Sequence, residues 1–231
     1  MRAKASRRSG GSGSSAGSCH PVAVNNDVQE AEGRDLRVCF VGDSYVAGVG
    51  DDSGMGWVGR LTRHAHSCGL PITAYNLGIR RDTAQDVADR LPDEVSRRVN
   101  PAAETRVVLA YGLNDVFLDA GQPRVGTADS VAATTRSLDW LASVSIPVVI
   151  VGPPPIGDAG QDARTEELDR QLAACAGSRR VPYLPVMGHL AKDQAWLDGV
   201  REGDGAHPGA SGYQRYFEVV RDPLMRFLSA G

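Results

Sequence analysis

The sequence predicts an α/β fold in which helices cover a parallel sheet. From Asp35 onward, short β-branched runs alternate with amphipathic segments, the pattern of strands separated by crossover helices. Two of those runs, Val107-Val108-Leu109 and Val148-Val149-Ile150-Val151, are continuously apolar, as expected of strands buried on both faces. The chain has 231 residues, which suits one such domain. A domain of this size buries about 70–75% of the surface its unfolded form exposes.

Taken in order, residues 1–34 are expected to form a disordered tail, with a basic start and a run of glycine, serine and alanine from Gly10 to Ser18, and residues 35–231 the folded domain. Strands are expected over 36–41, 72–76, 106–111, 147–151 and 181–184. Between the second and third, Val87, Leu91, Val95 and Val99 recur every four residues, an apolar stripe on a helix that Asp82 or Thr83 can cap. Pro92 is expected to kink or split that helix. A second stripe, Tyr213, Phe217, Val220, Leu224 and Leu228, marks a C-terminal helix that Pro223 is expected to restart. Right-handed crossovers put the C-terminal ends of all strands on one edge of the sheet, where ligands bind in such folds.

Composition narrows the function classes. Lysine and arginine total 25 against 28 acidic residues, a formal charge of −3, and no basic stripe with interleaved aromatics follows the first eight residues. Nucleic acid is therefore not an expected partner. Ser6-Arg7-Arg8-Ser9 and Ala16-Gly17-Ser18-Cys19 imitate export signals but lack the apolar stretch of about 7–15 residues such signals need. No apolar run approaches the roughly 20 residues of a membrane span. The four cysteines are scattered without a C-x-x-C pair, so a cytoplasmic protein with reduced thiols is expected.

Four short islands carry the chemistry: Gly42-Asp43-Ser44, Gly78, Gly112-Leu113-Asn114-Asp115 and Asp204-Gly205-Ala206-His207. Ser44 follows the first strand, Gly78 the second and Asn114 the third, while Asp204 and His207 precede the last helix. A serine hydroxyl is a weak nucleophile unless a base lies within hydrogen-bond reach and a third group orients that base. Of the five histidines, only His207 has an acid three residues earlier in a glycine-rich loop. Asp204 is the expected orienting acid, with Asp43 or Asp115 as alternatives. Oxyanion donors are expected from the Ser44 amide, the Gly78 amide and the Asn114 side chain.

With these residues in place, the chain resembles the GDSL-type, or SGNH, serine hydrolases over residues 36–229. The resemblance puts the catalytic serine on Ser44, the second-block glycine on Gly78, the third-block asparagine on Asn114, and the acid and histidine on Asp204 and His207. Tyr45 stands where the name-giving leucine would be. The resemblance implies a three-layer α/β/α, flavodoxin-like fold with a five-stranded parallel sheet. It also implies metal-independent hydrolysis of small-molecule esters, thioesters or acetylated sugars, or acyl transfer from the same intermediate. No cofactor is expected.

Four other patterns compete, of which two are set aside and two stay open. Gly54-Met55-Gly56-Trp57-Val58-Gly59 spells a dinucleotide fingerprint, but a loop rather than a strand precedes it. It is expected to be a loop leading into a helix, with Trp57 packed beneath. His64, His66 and Cys68 read as a solvated helix face, because the middle residue points away from its neighbours. Arg80 and Arg81 read as surface arginines or as a contact for an anionic substrate, and Gly152-Pro153-Pro154-Pro155 either shapes an acyl pocket or ends a strand.

Overall fold

A computed structural model of the chain describes residues 34–230; the expected tail lies outside the described residues apart from Arg34, and so do Cys19 and His20. The elements run β1 (Leu36–Gly42), α1 (Ser44–Ala47), α2 (Gly56–Ser67), β2 (Ile72–Gly78), α3 (Ala84–Ser96) and β3 (Glu104–Ala110). They continue with a two-residue hairpin, β4 (Leu118–Asp119) and β5 (Gln122–Pro123), then α4 (Thr127–Ser143), β6 (Val148–Val151) and α5 (Ala159–Ser178). The chain closes with β7 (Tyr183–Leu184), α6 (Met187–Leu190), α7 (Gln194–Glu202) and α8 (Ala210–Ser229).

The main sheet has the order β2-β1-β3-β6-β7, with every neighbouring pair parallel. Its strands alternate between two cores, as the two-residue period of a strand requires. Val38 and Phe40 of β1, Val108 and Ala110 of β3, and Val149 and Val151 of β6 join the α2, α7 and α8 side. Cys39 and Val41, Val107 and Leu109, and Val148 and Ile150 face α3, α4 and the end of α5. The apolar runs are continuous because both faces are covered, and the expected three-layer arrangement follows.

Several boundaries differ from expectation for physical reasons. Thr83, not Asp82, caps α3: its hydroxyl accepts from the Asp86 amide while Asp86 accepts from the Thr83 amide, a reciprocal capping box. Pro92 and Pro223 lie inside α3 and α8 without dividing them. Each forgoes one backbone hydrogen bond, and the buried stripes on both sides, Leu91 with Val95 and Val220 with Leu224, hold the turns together. Val99 falls beyond the end of α3 and is 43% exposed, so it does not belong to the stripe.

Candidate active site

β1 ends where Gly42 pairs with Gly78 on one side and Ala110 on the other. Gly42 is required there, since a Cβ would lie 1.8 Å from the Ala110 carbonyl oxygen. Asp43 then turns the chain out of the sheet. Its Oδ1 accepts from the Tyr45 amide at 2.9 Å, capping α1 and holding Ser44 in the first position of that single turn. Burial pushes the Asp43 carboxyl up to about 7, outweighing the Tyr45 amide that favours its charged form. Its other oxygen accepts from Asn114 Nδ2 at 3.2 Å, linking the first island to the third.

The acid and histidine arrive from the loop between α7 and α8. Asp204 Oδ1 accepts from the amides of Ala206 at 3.0 Å and His207 at 2.8 Å, which folds the loop around the carboxylate. Asp204 Oδ2 lies 2.8 Å from His207 Nδ1, and His207 Nε2 lies 2.7 Å from Ser44 Oγ. In a neutral imidazole this geometry assigns the proton to Nδ1 and leaves Nε2 to accept from the Ser44 hydroxyl. Partial burial pushes the Asp204 carboxyl up, but the His207 amide, the His207 ring and the Ala206 amide outweigh it and bring the group down to about 2. The His207 side chain is 11% exposed and that of Asp204 53%, so the imidazole is sheltered and the carboxylate beside it meets water.

Tyr45 supports this loop from below. Its hydroxyl donates to the Ala206 carbonyl, and its ring lies 5.3 Å from the His207 ring and 6.0 Å from that of Trp196. Trp196 is fixed in turn by its indole N–H, which donates to the Pro155 carbonyl at 2.9 Å. The proline run thus anchors Trp196, and it is absent from the lining of the cleft beside Ser44.

That cleft is small, about 50 Å³, and is lined by Ser44, Tyr45, Arg80, Arg81, Leu113, Asn114, Phe117, Ala206 and His207. Asn114 lies where the sequence places it, with its Nδ2 also donating to the Asp82 carbonyl at 3.0 Å. Gly78 does not reach the cleft. β2 continues through it, its amide donates to Asn76 Oδ1 at 3.1 Å, and its α-carbon packs under α1, where a Cβ would lie 2.2 Å from the Ala47 nitrogen. The turn that enters the cleft comes three residues later, at Arg81, which has a φ of 70° and an amide without an acceptor among the described residues.

The other candidates have separate work. Asp115 caps α3 by accepting from the Ala84 amide and takes a hydrogen bond from the Ser130 hydroxyl at 2.6 Å, so it does not orient His207. In the glycine-rich loop, the Asp51 carboxylate accepts from the Gly56 amide at 2.9 Å and pairs with Arg60, filling the helix N-terminus a pyrophosphate would need. Trp57 is fully buried against Phe40 and Tyr216. His66 Nε2 lies 2.9 Å from the Ile72 carbonyl and His64 packs edge-on to Phe217. No group of three or more histidine, cysteine or acidic side chains suited to a metal occurs among the described residues.

Residues 40–215 match the model of the GDSL-like lipase/acylhydrolase family. The chain belongs to that family. Esterase TesA of Pseudomonas aeruginosa is 25% identical over 201 residues, covering 87% of this chain and 92% of TesA. Among solved structures, a lipase/acylhydrolase from Enterococcus faecalis superposes with a TM-score of 0.69 at 21% identity, covering 83% of this chain and 96% of that one. An acetyl xylan esterase from Geobacillus stearothermophilus gives a TM-score of 0.64 at 17% identity, with 85% and 96% covered. This GDSL-like acylhydrolase therefore shares the fold of ester hydrolases along most of its length. Among the described residues, no helix is long and apolar enough to cross a membrane.

Within this GDSL-like acylhydrolase, two contributors to the site escape sequence reasoning. The position of Tyr45 beside the nucleophile is visible in the sequence, yet its bond to Ala206 depends on a loop 161 residues away. Arg81 stands out in the sequence as a charge just past Gly78, but its left-handed backbone carries no signal there, because that conformation is usually marked by glycine or asparagine.

Proposed function

We propose that this acylhydrolase is a serine esterase that cleaves a small carboxylic ester through an acyl-enzyme on Ser44. The observation that carries this reading is the continuous relay from Asp204 through His207 to Ser44, at 2.8 and 2.7 Å. Ser44 Oγ attacks the carbonyl carbon while His207 Nε2 takes its proton, and Asp204 stabilises the imidazolium without itself becoming protonated. When the tetrahedral intermediate collapses, His207 returns the proton to the departing alcohol. Water then attacks the acyl carbonyl carbon as His207 takes its proton, and the second tetrahedral intermediate breaks its bond to Ser44 Oγ, which takes the proton back from His207 as the acid leaves.

The oxyanion needs donors already in place. The Ser44 amide has no acceptor among the described residues and heads α1. Asn114 lines the cleft beside it, but its Nδ2 donates to both Asp43 Oδ2 and the Asp82 carbonyl, so it serves the oxyanion only when one of those bonds is given up. Arg81, whose amide is equally unengaged, supplies the second main-chain donor in this reading, because the Gly78 amide is already taken by Asn76.

The test is hydrolysis of 4-nitrophenyl acetate by purified protein. Ser44→Ala is expected to lower the rate about 10³-fold or more, the scale on which single losses from such triads act. Equal rates for variant and parent would remove the proposal.

A further inference from the structure

The turn that reaches the cleft is built with unusual residues. After Gly78, the Ile79 amide donates to the Gly42 carbonyl at 3.0 Å, keeping the chain on the sheet edge. The Asp82 amide then donates to the Ile79 carbonyl at 3.3 Å, closing a four-residue turn with Arg80 and Arg81 at its centre. A positive φ at the second central position is the signature of a type II turn, where glycine normally stands. Arginine there is strained where glycine would not be. Among the described residues, three other non-glycine residues have positive φ, namely Ala120, Ser145 and Arg180, but of the four only Arg81 lines the cleft beside Ser44.

Two side chains clamp this turn from outside. Arg124 Nη1 donates to the Arg81 carbonyl at 3.0 Å, and Asn114 donates to the Asp82 carbonyl. Neither clamp neutralises the two guanidinium groups. The adjacent carboxylate, Asp82, is bonded to Arg90 at 2.7 Å, and Asp86 is held by Thr83. Among the described residues, Arg80 and Arg81 form no ion pair, and no carboxylate lines the cleft they share with Ser44 and His207. In a chain whose formal charge is −3, the mouth of this cleft carries at least two uncompensated positive charges.

We propose that Arg80 and Arg81 form an anion-accepting rim that selects esters bearing a negatively charged oxygen group near the scissile bond. A guanidinium presents paired donors to such a group in a fixed fork, and clustered charge at a cleft raises the local concentration of oppositely charged substrate. The proposal rests on the esterase reading above and adds the substrate class to it. Holding arginine where glycine would relax the turn gives the rim a second charge beside the reacting carbonyl.

Two matched substrate pairs test it, each comparing a carboxylate with its neutral amide. Ethyl hydrogen glutarate against ethyl 4-carbamoylbutanoate places the charge on the acyl side, and 4-acetoxybenzoate against 4-acetoxybenzamide places it on the leaving group. In at least one pair the parent enzyme is expected to favour the carboxylate in kcat/KM by about tenfold, the scale of one well-placed charge contact. The pair that responds identifies the side. That preference should vanish in the Arg80→Gln, Arg81→Gln double variant, persist in the double lysine variant, and shrink in 0.5 M salt. Arg97→Gln, at the far end of α3, should leave it unchanged. Turnover of 4-nitrophenyl acetate with no carboxylate preference in either pair, or a preference that survives the double glutamine variant, overturns the rim and leaves the esterase reading intact. No Ser44-dependent turnover of any ester overturns both.

Discussion

The Tyr45 hydroxyl donates to the Ala206 carbonyl, joining the residue after Ser44 to the residue before His207. The bond spans the two loops whose separation sets the distance from Ser44 to His207. Removing it in Tyr45→Phe leaves the ring contacts with His207 and Trp196. We expect kcat to fall about fivefold to tenfold, the worth of one net hydrogen bond, with KM for a short ester little changed. Steady-state kinetics on 4-nitrophenyl acetate checks this. A change in thermal stability with kcat intact would reduce Tyr45 to packing.

Gly78→Ala separates packing from catalysis at the second island. A Cβ there would meet the Ala47 nitrogen, and the Asp43 carbonyl at 2.7 Å, both of them backbone. Overpacking of this kind typically costs about 1–3 kcal/mol. Denaturant unfolding should show that loss. A variant as stable as the parent would contradict the place given to Gly78 under α1.

The exposure of Asp204 predicts unequal penalties within the triad. His207→Ala removes the only base and should lower kcat about 10³-fold or more, like Ser44→Ala. Asp204→Ala leaves the imidazole in reach of water and of Tyr45, and should lower kcat less. Comparable losses for the two alanine variants would show that water does not substitute for the carboxylate.

Asp43 predicts a pH dependence of stability. Burial raises its carboxyl to about 7 in the folded chain, against about 3.9 in an unfolded one. The unfolded state therefore loses this proton first as pH rises. The associated stability is fully present below about pH 4, declines through the interval and is lost above about pH 7. Asp43→Asn keeps an oxygen for the Tyr45 amide and removes the titration, so its melting temperature relative to the parent should rise between pH 5 and pH 8. A constant difference across that range would contradict the shift.

Much of this site is legible in the sequence because spacing and residue type carry it. Continuous apolar runs located the central strands, and the only histidine with an acid three residues ahead is the one that meets Ser44. Gly78 shows where that reading stops. A glycine near a strand end can serve a cleft or a close packing contact, and the letter alone does not distinguish them; here β2 runs two residues past Asn76 and leaves Gly78 in register with Gly42. Arg81 is hidden because its backbone conformation is imposed by Arg124, Asn114 and the Ile79–Asp82 bond, all tertiary. Pro92 and Pro223 illustrate the same override, with buried stripes holding helices that local rules would break.

We propose that His207 and Asp204 activate Ser44. A fluorophosphonate reports this directly, since its phosphorus is captured only by a hydroxyl whose proton a neighbouring base accepts. Treatment of the intact protein followed by peptide mass analysis is predicted to place one adduct on Ser44, absent in Ser44→Ala and strongly slowed in His207→Ala. An unlabelled Ser44 in folded protein, or labelling at the same rate without His207, would contradict it.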